Sequence, residues 1–178
     1  MAYVNRNQIT IENAEIMYSK TSPNFSGAAH QYNAEGNRNF CMFIDDENLA
    51  QDMINAGWNI KELPPRPDHP EDHVRYFLSV TVKYRKIDGT PVQQLPEVYI
   101  VANGKPKPLS EKSIGSLDKR QIKYVDVRLN PRIKDDGTIK AYAAELYVTV
   151  ESNPLADKYA MDEYPEDDFA PGDDPFAG

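Results

Sequence analysis

The spacing of hydrophobic and polar positions predicts a chain built mostly of β-strands. From residue 74 to residue 83 the side chains alternate strictly between an apolar face (Val74, Tyr76, Leu78, Val80, Val82) and a basic, partly aromatic face (Arg75, Phe77, Ser79, Thr81, Lys83). Neighbouring side chains of a strand point to opposite sides of a sheet. This segment therefore predicts a strand with one face in the core and the other in solvent.

Further segments show alternating apolar positions or clustered β-branched residues, which are typical of strands: Gln8–Tyr18, Asn37–Ile44, Val98–Val101, Lys123–Leu129 and Thr138–Val150. Asp135-Asp136-Gly137 lies between the last two and predicts a hairpin. The expected inward positions of that hairpin are Val125, Val127 and Leu129 on one strand and Ala144, Leu146, Val148 and Val150 on the other.

Two short helices are predicted between the strands. Asp45 or Asp46 can cap a helix that ends at Gly57, and Ser110 can cap a helix that reaches Leu117. Polar or proline-rich stretches predict loops at Ser19–Gly36, Pro64–His73 and Asn103–Pro108. About six strands, two short helices and no repeated βαβ unit favour a small β-barrel or sandwich.

The charges are distributed unevenly along the chain. The net charge is −8, yet residues 157–178 hold 8 acidic residues and one base, so residues 1–156, with 20 acids and 19 bases, carry only −1. Within that part, Arg75–Lys140 holds 14 bases and 7 acids, a local net of +7. The sequence predicts a folded domain at residues 1–156 with a basic half suited to a polyanion, and a disordered acidic tail at 157–178.

Other compositional features narrow the class of protein. Cys41 is the only cysteine, which excludes an intrachain disulfide and a cysteine-based zinc cluster. The first residues lack the apolar core of a signal peptide, and no stretch approaches the ~18 apolar residues that cross a bilayer. We expect a cytoplasmic protein without a membrane association.

The sequence offers little for catalysis. Asp68–His73 contains two histidines among carboxylates, but Pro70 prevents the helix that would bring His69 and His73 to one face, so we expect no metal site. Phosphate-binding glycine loops, nucleophile elbows and zinc-protease motifs are absent. We expect no enzymatic activity and no cofactor; a nucleic-acid enzyme that uses the histidine loop is a remaining alternative.

Cations and rings occur together on the predicted outward faces. A single-strand binding site needs cations for phosphates and exposed rings on which bases stack. The sequence predicts that one continuous groove is formed by Arg75, Phe77, Lys83, Arg85, Tyr99, Lys105, Lys107, Lys123, Tyr124 and Arg128. The alternative for each residue is structural, since tyrosines often cover the edge of a β core and lysines solvate its surface.

The acidic tail carries the most definite motif. Phe169 and Phe176 each follow a pair of carboxylates, and Asp173-Asp174-Pro175-Phe176 resembles the acidic tip of bacterial and phage single-stranded DNA-binding proteins, although here Ala177-Gly178 follows the phenylalanine. The body is similar to phage proteins of that class with an oligonucleotide-binding (OB) barrel, in the segments Gly36–Phe40, Gly57–Asn59 and Ser113–Asp118.

This resemblance implies a five-stranded OB-like barrel with insertions that coats and protects single-stranded DNA during replication or recombination. It also implies that Asp173, Asp174, Pro175 and Phe176 recruit replication or recombination proteins, while the possibility of a homo-oligomer stays open. The alternative is a phage structural or accessory β-barrel protein whose tail serves solubility, which an exposed apolar patch would favour.

Overall fold

The computed structural model describes residues 7–31, 33–71 and 73–151. Nine strands form within these residues, together with helix α1 (Glu47–Ala56) and one 3₁₀-helix (Ile114–Lys119). The strands are β1 (Ile9–Ala14), β2 (Ile16–Met17), β3 (Arg38–Ile44), β4 (Ile60–Leu63), β5 (Arg75–Val82), β6 (Glu97–Ala102), β7 (Lys105–Leu109), β8 (Ile122–Ile133) and β9 (Ile139–Val150). The mostly β fold with two short helices is as predicted.

The sheet closes on itself because its first strand is split. The path of paired strands runs β1-β8-β9-β5-β3-β2, and only Glu15 separates its two end strands in the chain. Asn13, at φ 57°, lies in the irregular pairing between β1 and β8, and its backbone N–H donates to Asp126 at 2.8 Å. Such a kink lets one stretch of chain pair with β8 at its start and with β3 at its end.

The strand order is that of an OB barrel. When β1 and β2 are counted together as the first barrel strand, β3 is the second, β5 the third, β8 the fourth and β9 the fifth. Around the barrel these strands follow the order first, second, third, fifth, fourth, and back to the first. The third and fifth of these, β5 and β9, run parallel, and the other pairs of neighbouring barrel strands are antiparallel. Strands β4, β6 and β7 are additions to this five-stranded barrel, which confirms an OB-like fold with insertions.

The predicted faces of the strands are confirmed with two corrections. Val74 was expected on the core face, but it precedes β5 and is exposed. Leu78, Val80 and Val82 point into the core, as do the predicted residues of β8. Ala144 was expected to point inward, but Ala143 is buried there instead. Arg128 pairs with Glu145 while the next residue, Leu129, pairs with Ala143, so Ala144 is the extra residue of a β-bulge. The bulge reverses the alternation in the middle of β9.

The helix predicted after β3 is present with its predicted ends. The Asp46 carboxylate accepts the backbone N–H groups of Asn48 and Leu49 at 3.0 and 3.1 Å, and Gly57 ends the helix at φ 104°. The second predicted helix starts later than expected. Residues from Ser110 form a turn, and the 3₁₀-helix itself begins at Ile114.

The segment predicted as a basic loop at Asn103–Pro108 is mostly a strand. Asn103 and Gly104, both with positive φ, make a two-residue turn, and β7 then pairs with β6. Pro106 and Pro108 are tolerated because, among the described residues, β7 pairs with β6 alone and its other edge needs no N–H donors. The prolines therefore mark the edge of a sheet.

The long loop before β3 is anchored to the barrel. Phe25 is fully buried and packs on Phe40, with the ring centroids 5.4 Å apart. The Asp118 carboxylate accepts the backbone N–H groups of Phe25 and Ser26 at 2.8 and 2.9 Å. These contacts hold the loop against the 3₁₀-helix and fix its position beside the outer face of β3.

One turn structure occurs twice. In Lys86–Thr90 and in Lys134–Thr138 the lysine N–H donates to the threonine carbonyl at 2.8 Å, and the threonine N–H donates to an aspartate at 2.9 Å. The hydrogen bonds from threonine lower the pKa of Asp88 and of Asp136. Both turns are therefore closed by the same hydrogen bonds, one of them after β5 and the other between β8 and β9.

Candidate nucleic-acid interface

Tyr142 lies at the centre of a cluster of cations on the outer face of the barrel. Its ring is half-buried on β9, next to Thr81 of β5 and Asn130 of β8. Lys140 Nζ, Lys83 Nζ and Arg132 Cζ lie 5.5, 5.8 and 6.0 Å from the ring centroid. Arg132 also donates from Nη1 to the tyrosine hydroxyl at 3.3 Å. The ring is thus a platform bordered by positive charge.

Strand pairing explains why these side chains meet. Lys140 and Tyr142 are two residues apart on β9 and so share a face, and Arg132 of β8 pairs directly with Lys140. Lys83 follows β5, which pairs with β9 through Thr81 and Tyr142. The cluster therefore joins the β8–β9 hairpin to β5, which is distant from it in sequence.

Two grooves meet at this cluster and form one surface, which we call the Tyr142 groove. Their volumes are about 700 and 720 Å³, and both are lined by Lys83, Lys86 and Tyr142. The charged residues that line the combined surface are seven bases, Arg38, Lys83, Arg85, Lys86, Arg128, Arg132 and Lys140, and three acids, Glu35, Glu97 and Glu111. A net charge of +4 from these side chains makes the surface suited to a polyanion.

Some of these cations have carboxylate partners. Arg85 contacts both oxygens of Glu111, with Nε–Oε2 at 2.9 Å and Nη2–Oε1 at 3.1 Å. Arg128 donates from Nε to Glu145 at 3.3 Å. The lysines and Arg132 around Tyr142 contact an aromatic ring, which leaves their charge less neutralised than that of the paired arginines.

Three of the ten residues predicted for the groove, Lys83, Arg85 and Arg128, line it. Two others, Arg75 and Phe77, lie on the same outer face of β5 but at its other end. Arg75 Nη2 contacts Asp45 at 2.9 Å and Glu15 at 3.4 Å, and its guanidinium carbon lies 3.5 Å from the centroid of the Phe43 ring. Phe77 pairs with Phe43 across the sheet. The Arg75 charge is therefore already balanced by two carboxylates.

Tyr99 lies in an acidic part of the outer face. Its ring stacks on Tyr147, with centroids 4.6 Å apart and planes 9° from parallel. Tyr147 donates its hydroxyl to Glu145 at 3.0 Å, and Glu97 pairs with Glu145 on the neighbouring strand. The hydrogen bond to Glu145 raises the pKa of Tyr147. These carboxylates make the surroundings of Tyr99 less favourable to phosphates than those of Tyr142.

The remaining predicted residues are not brought to the Tyr142 groove. Lys107 pairs with Ile100 while Pro108 pairs with Tyr99, so Lys105 and Lys107 lie on the opposite face of the β6–β7 hairpin from Tyr99. Lys123 is exposed at an irregularity near the start of β8, and Tyr124 pairs with Thr149. The ten predicted residues therefore do not form one continuous groove, because the structure divides them among separate surfaces.

Sequence reasoning missed the residue at the centre of the groove. Tyr142, Lys140 and Arg132 were omitted, as were Lys86 and Arg38. The sequence did contain a signal for this site. Lys140 and Tyr142 are at alternate positions directly after the Asp-Gly turn, which predicts that a cation and a ring lie together on the outward face of the last strand. Only the inward residues of that strand were assigned from its alternation.

The described residues of the histidine segment form no metal cluster. In the described part of Asp68–His73, which lacks residue 72, His69 contacts Glu71 at 3.4 Å and Asp68 at 3.5 Å on an exposed loop. Nowhere in residues 7–31, 33–71 and 73–151 do three or more potential ligands group to hold a metal ion. Over the same residues, neither helix has the length and apolar character that crossing a membrane requires.

The closed barrel with a basic, aromatic groove places the protein in the class of OB-fold oligonucleotide-binding proteins. Residues 1–173 match the family model described as "Putative phage ssDNA-binding domain", and the chain belongs to this family. The family is one of single-stranded DNA-binding proteins from phages, and no family of enzymes is indicated. The resemblance seen in the sequence is confirmed.

The solved structures that are similar to the chain include two of phage proteins. One is the single-stranded DNA-binding protein from bacteriophage Enc34 in complex with ssDNA, with 12% identity, a TM-score of 0.49, and coverage of 84% of this chain and 89% of that one. The other is gp2.5, a single-stranded DNA-binding protein encoded by bacteriophage T7, with 10% identity, a TM-score of 0.40, and coverage of 85% and 96%. No protein with curated annotation matches the sequence.

Proposed function

We propose that this protein binds single-stranded DNA along the Tyr142 groove without strong sequence preference. The observation that carries the proposal is the half-buried ring of Tyr142 with three cations within 6.0 Å, at the junction of two grooves. Lys83, Lys140 and Arg132 would neutralise phosphates while a base stacks on the ring. Stacking on an aromatic side chain is worth about 1–3 kcal/mol per base and tolerates any sequence.

The position of the groove on the barrel supports this proposal. OB folds bind oligonucleotides on the face of their second and third strands and with the loops next to them. Here those strands are β3 and β5, and the groove is lined by Asn39 of β3, by Ser79 and Thr81 of β5, and by Asn33 and Glu35 of the anchored loop. Chemistry and topology therefore indicate the same surface.

The biological role follows from stoichiometric binding. A protein that covers phosphates and bases of a single strand protects that strand while DNA is replicated or recombined, and it needs no catalytic residue to do so. We propose this role in the cytoplasm of the host cell. The alternative of a phage structural barrel has less support, because the groove is basic and aromatic rather than a continuous apolar patch.

A titration of the full chain with labelled oligo-dT at several salt concentrations tests the proposal. Each phosphate that the groove neutralises releases counterions, so the logarithm of the binding constant should fall linearly with the logarithm of salt concentration, by about 0.7 per phosphate contact. We expect a slope of about 2 or more, because at least three cations surround the ring. Absence of binding, or binding that is insensitive to salt, would exclude a phosphate-binding groove.

We further propose that the acidic tail recruits replication or recombination proteins. Asp173, Asp174, Pro175 and Phe176 lie outside the described residues, so this proposal rests on the sequence: carboxylates attract a basic pocket, and the ring inserts into it. Phe176→Ala should abolish pull-down of replication proteins from infected cells and leave oligo-dT affinity unchanged. Phe169→Ala is the matched control, and retention of every partner by Phe176→Ala would disprove the role of the anchor.

A further inference from the structure

Glu111 occupies a position in the Tyr142 groove where an anion is held by two arginines. Both of its carboxylate oxygens are bound by the Arg85 guanidinium, at 2.9 and 3.1 Å. Arg38 also lies nearby, with Nη1 3.9 Å from Oε2. A planar guanidinium that binds two oxygens in parallel is the geometry by which arginine also recognises phosphate.

This carboxylate leaves nearby polar atoms without partners. Arg38 Nε and the Tyr84 hydroxyl are both buried and make no hydrogen bond. The guanidinium carbon of Arg38 lies 5.5 Å from the centroid of the Tyr84 ring, so the two groups adjoin. Burial raises the pKa of Tyr84 to about 12, and the hydroxyl therefore remains a donor at neutral pH. Unpaired buried donors of this kind indicate a missing acceptor.

A phosphodiester supplies what Glu111 lacks. Both groups carry one negative charge, but a carboxylate has two oxygens, each of which already accepts a bond from Arg85, whereas a phosphodiester spreads its charge over two non-bridging oxygens and has two ester oxygens besides. When the Glu111 side chain rotates away, the space that it leaves is open to the groove, since Arg85 and Glu111 both line it. The turn that carries Glu111 stays fixed by the hydrogen bonds from Ser113 and Ile114 to the Ser110 carbonyl.

We propose that Arg38, Tyr84 and Arg85 form a phosphate subsite, which the Glu111 carboxylate fills until a phosphate of single-stranded DNA displaces it. This inference rests on the proposed function, because it assigns one phosphate of the bound strand. In the free protein Glu111 neutralises two neighbouring guanidinium groups that would otherwise repel each other. On binding, one anion replaces another, so the ion pair with Arg85 opposes binding and lowers affinity for DNA.

The test is titration of the full-length protein with labelled oligo-dT at low salt. Glu111→Gln removes the competing charge, and Glu111→Asp withdraws it from Arg85 by one methylene group. Both variants should bind oligo-dT more tightly. For Glu111→Gln we expect a gain of up to about fivefold, the upper end of what a partly exposed ion pair contributes. Glu35→Gln is the matched control, because it removes the same charge from the same groove and should give a smaller gain.

A second background tests the assignment to Arg85. In Arg85→Gln protein the carboxylate has lost its main partner, so adding Glu111→Gln should give a smaller gain than it gives in wild-type protein. Equal gains in the two backgrounds, a gain no larger than that of Glu35→Gln, or weaker binding by both Glu111 variants would overturn the subsite. Failure of wild-type protein to bind oligo-dT would instead overturn the proposed function itself.

Discussion

Replacing both Lys83 and Lys140 with glutamate is expected to lower the affinity for oligo-dT about a hundredfold at low salt. The two ammonium groups lie 5.8 and 5.5 Å from the Tyr142 ring, and the double reversal changes the charge around that ring by four units. The groove would then carry no net positive charge, since its lining residues contribute +4. Phosphate contacts supply most of the affinity in sequence-independent binding.

A matched pair of lysines on another face provides the control. Lys105→Glu with Lys107→Glu makes the same change in total charge, but these residues lie on the other face of the β6–β7 hairpin from Tyr99, outside the Tyr142 groove. We expect this control to lose severalfold at most, through long-range repulsion, and to keep the salt slope of wild-type protein. Equal losses in the two double variants would show that total charge, rather than the groove, determines binding.

Much of the fold could be predicted because local alternation and turn chemistry agree with it. Leu78, Val80 and Val82 face the core as their spacing predicts, and the Asp136-Gly137 turn produces the predicted hairpin. The bulge at Ala144 could not be predicted in this way. Alanines stand at positions 141, 143 and 144, so the two faces of β9 differ little in hydrophobicity at that point.

The candidate site was harder to predict because it depends on which strands become neighbours. Lys83, Arg85 and Arg128 were predicted from charge and alternation within single segments, and they line the Tyr142 groove. The contact between Lys83 and Tyr142 arises from the parallel pairing of β5 with β9. That pairing joins segments far apart in the chain, and alternation within a segment contains no information about it.

Because alternation does not show which strands become neighbours, the predicted groove also included too many residues. Outward positions on several strands were assumed to share one surface, but a closed barrel turns its outer faces in different directions. Tyr99 therefore stacks on Tyr147 beside Glu145, while Tyr142 lies among cations. The alternation of each strand predicts that both tyrosines face outward. Only the arrangement of neighbouring strands distinguishes their electrostatic surroundings.

Comparing alanine substitutions at these two tyrosines is the measurement that tests the central claim most directly. Tyr142→Ala should weaken oligo-dT binding by about 1–3 kcal/mol, roughly fivefold to 150-fold, because a base loses its stacking surface. The salt slope should stay unchanged, since no phosphate contact is removed. Tyr142→Phe keeps the ring and should bind nearly as well as wild-type protein.

Tyr99→Ala removes an equivalent ring from the acidic part of the outer face and should leave the affinity for oligo-dT within about twofold of wild type, which is small beside the stacking contribution of a base. Thermal unfolding of each variant confirms that the barrel is intact. Loss of affinity in Tyr142→Ala but not in Tyr99→Ala is the result that the Tyr142 groove predicts. Wild-type affinity in folded Tyr142→Ala protein, or a larger loss in Tyr99→Ala, would place the DNA on a different face of the barrel.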